Sequence, residues 1–184
     1  ASRNAADGQS MIDTAEGALQ EVTSLLLRAR ELAVQSANGT LQDTDRTSLQ
    51  AEFISLTSEI DSIASKSSWG GLKLLYIPTN GYDPNELTFQ IGAKSGETIT
   101  HSIPQMLAQS ATMGLHYEHS VGRMENAVSS ISAIDGALSG VSKVRGELGS
   151  TSNRLEHAIA NLDQVRVNLS ASKGRIEDAD FAVE

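Results

Sequence analysis

Apolar residues recur every seven positions along the C-terminal third of the chain: Ile134, Val141, Leu148, Leu155, Leu162, Leu169 and Ile176. A spacing of seven held over that distance describes one long helix with a continuous stripe, and Ile134 to Ile176 would span roughly 60 Å at the helical rise. Taking these as d positions, the a positions are Ile131, Leu138 and Ile159 mixed with Arg145, Ser152, Arg166, Lys173 and Asp180. A seam half polar at a makes a poor stand-alone dimer. Apolar g residues, Ala137, Val144, Ala158 and Val165, widen the stripe to one side, which suits packing against two neighbours in a bundle.

Those neighbours are legible at the other end of the chain. Ile12, Ala15, Leu19, Val22, Leu26, Ala29 and Ala33 recur at spacings of three and four, with Ala18, Leu25 and Leu32 beside them. Asn38-Gly39 is a pair able to take positive φ and end that helix. A second run, Leu49, Phe53, Leu56, Ile60 and Ile63, follows the polar turn at residues 41–44, with Asp43 or Thr44 as the expected cap. The pattern predicts a mainly α fold: an elongated, coiled-coil-like rod of residues 1–66 and 123–184, forming one discontinuous domain around residues 67–122.

The middle segment has a different texture. All three prolines (Pro78, Pro84, Pro104), the only Trp (Trp69) and the pairs Gly70-Gly71 and Asn80-Gly81 lie in it. Leu72, Leu74 and Tyr76 alternate like a short strand. Leu87, Phe89 and Ile91 alternate with polar residues, residues 92–96 form a turn, and Ile99, His101 and Ile103 alternate again, which is a β-hairpin signature. Residues 104–122 carry weak patterns and read as loop with at most one helical turn.

Composition narrows what such a rod can do. With 184 residues, 39% apolar but only 4% aromatic, the chain can bury a thin core of Ala, Leu, Ile and Val, which elongated helix packing suits. A net charge of −9, with cations spread among anions, argues against nucleic acid or an anionic membrane as partner. No run of eighteen apolar residues is available to span a bilayer. The absence of cysteine removes disulfides, zinc thiolates and thiol nucleophiles.

Candidate chemistry is sparse. His116 and His119 flank Tyr117-Glu118 and would share a metal if helical, but no third ligand is near, and a solvated loop is the simpler reading. His101 and His157 are lone residues with structural roles expected. Glu177, Asp178 and Asp180 lack the glycine and alternating oxygens of a calcium loop. Gly136 and Gly140 are expected to permit close helix approach. Asn38-Gly-Thr and Asn168-Leu-Ser match the N-glycosylation pattern, as chance allows in a Ser/Thr-rich chain. No phosphate loop, triad ordering or inward His/Glu pair is present, so neither an enzyme nor a cofactor is expected; a small-molecule-binding helical bundle is the alternative of another class.

Three stretches carry a resemblance. ASRNAADG followed by TAEGALQEV, LRARELAVQSANGT, and NRLEHAIANLDQVRVNLSASKGRIEDADFA are similar to the two ends of bacterial flagellin, and FQIGAKSGETIT resembles its hairpin. The resemblance covers residues 1–75 and 123–184; the family's further terminal segments and large outer domains are not seen, which reads as a truncated core expected to polymerise poorly. It implies a structural subunit of the flagellar filament serving motility, extracellular, and exported without a cleaved signal peptide, in keeping with a start that has no leader. Implied partners are other flagellin subunits, an export chaperone, cap and junction proteins, and a Toll-like innate receptor. Arg28, Leu32 and Glu52 match the receptor-facing pattern, with Leu27 where receptor-activating relatives usually have Gln. Subunit packing falls to the d series from Ile134 to Ile176, and Arg145, Arg166 and Lys173 are candidates for intersubunit salt bridges. The hook-filament junction protein, which shares flagellin-like ends, is the nearer alternative; RIEDADFA and RARELAVQSANGT favour flagellin.

Overall fold

The computed structural model describes residues 1–76, 85–92, 94–116 and 119–181, with the side chains of residue 85 and of residues 176–181 left out. Three helices carry most of it: α1 (Ser2–Ser36), α2 (Asp43–Lys66) and α3 (Met124–Phe181), the last of 58 residues. Between α2 and α3 lie two small antiparallel pairs, β1 (Ser68–Trp69) with β2 (Leu72–Lys73), and β3 (Asn85–Gln90) with β4 (Thr98–Ile103). Among the described residues no helix is long and apolar enough to cross a membrane.

α1 and α3 run antiparallel and form the spine. Gln9 hydrogen-bonds Ser152, Glu16 pairs with Arg145, and Arg30 pairs with Asp135. The three- and four-residue spacing of α1 puts Ala5, Ile12, Ala15, Leu19, Val22, Leu26, Ala29 and Ala33 in the interior, each at most 2% exposed. Facing them, Ile134, Ala137, Val141, Val144, Leu148 and Leu155 are buried from α3. Alanine-rich stripes let two helix backbones approach closely, so a chain with few aromatics still closes its core. α2 adds a narrower stripe, with Phe53, Ile60 and Ala64 buried.

The helix ends differ from the expected devices. α1 ends at Ala37 in right-handed geometry, and Gly39 is not among the positive-φ glycines. The buried guanidinium of Arg46, only 6% exposed, instead donates to the carbonyls of Ser36, Asn38 and Leu41. One cation thus serves acceptors at the end of α1 and through the turn, sharing the Asn38 carbonyl with the Leu41 N–H. α2 is capped at Gln42 rather than Asp43 or Thr44, because Asp45 reaches back to accept from the Gln42 N–H at 3.2 Å.

The alternating Leu72, Leu74 and Tyr76 do not make one strand. The strand stops at Lys73, since Gly70 and Gly71, at φ of 56° and 87°, fold Ser68-Trp69 back onto Leu72-Lys73 in a two-residue turn. Leu74 and Leu75 are then both buried in the core. The β3–β4 hairpin has the expected register, pairing Leu87 with His101 and Phe89 with Ile99. Pro78, Pro84 and Asn80-Gly81 lie outside the described residues.

Residues 104–122 are more than a loop lying on the surface. Met106, Ala108, Met113, Leu115 and Val121 are at most 4% exposed and form part of the core. Sequence pattern misses them because a turn-rich segment buries its apolar residues with no fixed period.

Candidate assembly and recognition surfaces

The seven-residue stripe divides into two parts. Ile134, Val141, Leu148 and Leu155 are fully buried against the rest of the chain, whereas Leu162 is half-buried and Leu169 is 65% exposed. The Ile176 side chain lies outside the described residues, as do those of Glu177, Asp178 and Asp180. Among the described residues α1 lies alongside only the first part. Gln9 is level with Ser152 and Glu16 with Arg145, a seven-residue step on each helix, so Ser2 falls level with about residue 159. Beyond that point α3 continues for roughly 30 Å with no other helix of the described residues beside it. Val165, Val167 and Leu169 are all exposed there, at 45%, 58% and 65%. Residues 164–175 also hold three cations, Arg166, Lys173 and Arg175, and no anion, in a chain of net charge −9.

A second surface is the outward edge where α1 meets α2 and α3. Arg28 lies between Glu52 of α2 at 2.8 Å and Glu31 of its own helix at 2.9 Å, and is half exposed. Hydrogen bonds to Glu31 and then Glu52 hold its pKa above the ordinary arginine value. Arg30 is held in the same sense by Asp135 of α3, at 2.7 Å. Arg28 and Glu52, matched separately in the sequence, are thus one ion pair. Leu32 is different: at 1% exposure it belongs to the core and touches no outside molecule in this fold, while Leu27 is 49% exposed.

Of the cations expected between subunits, Arg145 has an intrachain partner in Glu16 at 2.7 Å, and Arg166 lies 3.6 Å from Asp163. Gly140 does admit a close neighbour, but a loop instead of a helix: a Cβ there would come within 2.6 Å of the Thr112 carbonyl oxygen. Gly136 faces open space.

Polar side chains fasten residues 104–122 to the rod, and sequence reading gave no sign of them. The Gln50 amide oxygen accepts from the Val121 and Gly122 N–H groups at 2.5 and 2.8 Å, and Asp61 accepts from the Ala108 N–H at 2.7 Å. Ser36 donates to the Val121 carbonyl. Beside them runs a groove of about 440 Å³ bordered by Phe53, Ile54, Asp61, Leu115, His116 and His119. The two imidazoles meet edge to face, centroids 6.1 Å apart; Tyr117 and Glu118 lie outside the described residues. Among the described residues, no three His, Asp or Glu gather in a metal-binding group. A second groove of about 420 Å³ separates α1 from β3, bordered by Met11, Trp69, Leu72 and Phe89 with Asp7 and Glu86 at its edge.

A rod whose unpaired features are lateral surfaces rather than a cleft with converging reactive groups belongs to the class of helical assembly subunits. Its two ends match one family within that class. Residues 1–76 match the bacterial flagellin N-terminal helical region and residues 131–184 the bacterial flagellin C-terminal helical region. The flagellin of Halalkalibacterium halodurans is 44% identical over all 184 residues, which span 65% of that relative. The flagellin of Bacillus subtilis is 39% identical, with the whole chain spanning 69% of it. The crystal structure of Bacillus cereus flagellin superposes with a TM-score of 0.73 at 30% identity, covering 94% of this chain and 95% of that one. The chain belongs to the bacterial flagellin family. A putative flagellar hook-associated protein from Vibrio parahaemolyticus shares the fold at a TM-score of 0.75, but at 17% identity the likeness stops at the fold.

Proposed function

We propose that the chain is a structural subunit of the bacterial flagellar filament, working outside the cell by packing against other copies of itself. The observation that carries this is the distal half of α3. There Val165 and Leu169 continue the apolar stripe along an unbroken helix and lie exposed, a surface that other helices can cover. Contacts between different faces of identical subunits generate open helical polymers. The work is mechanical, not catalytic, and an export chaperone and cap proteins are the further partners that membership of the family suggests.

The test is a chimera in which this chain replaces the matching 69% of the Bacillus subtilis flagellin, expressed in a host lacking its own. Electron microscopy is expected to show filaments and swimming to be restored. Folded, exported chimera that never forms filaments overturns the reading. Leu169→Asp in the chimera is expected to abolish filaments while leaving the isolated chain folded.

We further propose that the Arg28–Glu52 edge is the surface read by the Toll-like receptor. Arg28→Ala and Glu52→Ala should each weaken receptor binding, and the double substitution should cost less than the two together because the residues act as one pair. Unchanged affinity in both single variants rejects it.

A further inference from the structure

The β3–β4 hairpin rests against the start of α1 and the middle of α3. Phe89 packs so tightly on α1 that a Cβ at Gly8 would come within 2.8 Å of its ring. On the other side the hairpin touches α3 through a polar contact: His101 of β4 is 8% exposed, and its Nδ1 lies 3.0 Å from the Thr151 hydroxyl. That hydroxyl has one proton, which it donates to the Glu147 carbonyl at 3.0 Å. Its oxygen therefore accepts from His101, which places the imidazole proton on Nδ1. Nε2 is buried with no partner. A bare lone pair there is tolerable, whereas an orphaned buried N–H is rare.

We propose that His101 is a proton-sensitive clamp between hairpin and rod, docking β3–β4 on α3 when neutral and loosening it when acid protonates Nε2. An imidazolium donates from both nitrogens, and Thr151 serves only one of them. The second N–H would be charged, buried and unpaired at the hairpin's joint with α3. Leu26, Leu32, Phe53, Ile60 and Ile134 are buried among the three helices, and Leu87, Phe89, Ile99 and Ile103 are the hairpin's own share of the core. The proposed release is that of the hairpin from α3.

The charged surroundings agree. From α3, Glu147 is the one carboxylate favouring the charged ring, and its side chain is half exposed with Lys143 4.0 Å away. From β3, Glu86 is exposed on the face opposite Leu87, the cross-strand partner of His101. Along α1, Asp13 binds Gln9 and Glu16 binds Arg145. The neighbours of His101 on β4, Thr100 and Ser102, are uncharged. Burial is the larger influence and pushes the His101 pKa below its ordinary 6.5, with Glu147 opposing it more weakly. The sign follows: docking is at full strength above the undocked value of 6.5 and weakens as pH falls from there toward the lower docked value.

The test uses the whole chain. Long-range ¹H–¹⁵N spectra of the histidine rings at pH 7.5 should show His101 as the Nδ1–H tautomer; the Nε2–H tautomer overturns the proposal. Amide exchange, corrected for intrinsic rates, is then compared at pH 7.5 and pH 5. Protection at residues 86–103 is expected to fall about threefold or more, while α1 and α2 stay unchanged. Loss in step across hairpin and helices, or no loss at all, overturns it. In His101→Gln the same ratio should be near one, because a neutral amide has no proton to gain. A ratio as large as that of the unsubstituted chain assigns the effect elsewhere and also overturns it. None of these readouts involves filaments, so failure of the clamp and failure of the filament reading are distinguishable.

Discussion

The two halves of α3 share one spacing and have opposite fates. Up to Leu155 the d residues are completely buried, and from Leu169 onward the only described one is mostly exposed. Both halves are continuous helix with apolar residues every seventh position, though the a positions turn polar at Arg166, Lys173 and Asp180. Among the described residues, the proximal half lies alongside α1, which reaches to about the level of residue 159, and the distal half lies beyond it. A heptad stripe specifies that a face is to be covered, and leaves open by what.

The contrast breaks most sharply under truncation. Leu148→Ala removes a fully buried side chain and should cost about 3 kcal/mol in urea unfolding, whereas Leu169→Ala should change stability by no more than about 0.5 kcal/mol. Equal losses would mean that the distal half is packed in solution. Glycine substitution sharpens the same point by sign. Gly140→Ala drives a Cβ against the Thr112 carbonyl and should destabilise by about 1–3 kcal/mol, and Gly174→Ala, facing open space, should stabilise by up to about 1 kcal/mol through helix propensity. Thermal melts of the two variants moving in the same direction would contradict this. The smallest effect is expected from charge. Arg145→Ala breaks an interhelical pair and should cost about 1 kcal/mol, while Arg166→Ala, beside Asp163 on its own helix, should be neutral within about 0.5 kcal/mol. Removing the first pair should also diminish the salt dependence of stability.

The helices were legible because their signal is periodic. The α1 stripe from Ile12 to Ala33 and the hairpin's Leu87, Phe89, Ile99 and Ile103 were readable one face at a time, as each face meets a single surface. The candidate surfaces were legible less evenly. Arg28 and Glu52 came from a resemblance, and only the fold joins them as a pair. Leu32 came with them, yet its position on α1 turns it into the core. Arg46, Gln50 and Asp61 left no trace in the pattern, because a polar residue on a helix reads as solvated until a loop's backbone arrives to be satisfied. Polar side chains become anchors only when residues 38–41 and 104–122 bring backbone carbonyls and N–H groups to them.

The sequence by itself determined that this protein is a helical rod with a small hairpin, since hydrophobic period and turn chemistry are local properties, and its long matching ends determined the family. Tertiary structure alone decided which parts of each stripe are covered, which glycines are crowded and which polar groups are anchored. Those depend on what lies across the interface. For α3 that partner is α1, more than a hundred positions away in the chain, which covers the stripe at Ile134, Val141, Leu148 and Leu155.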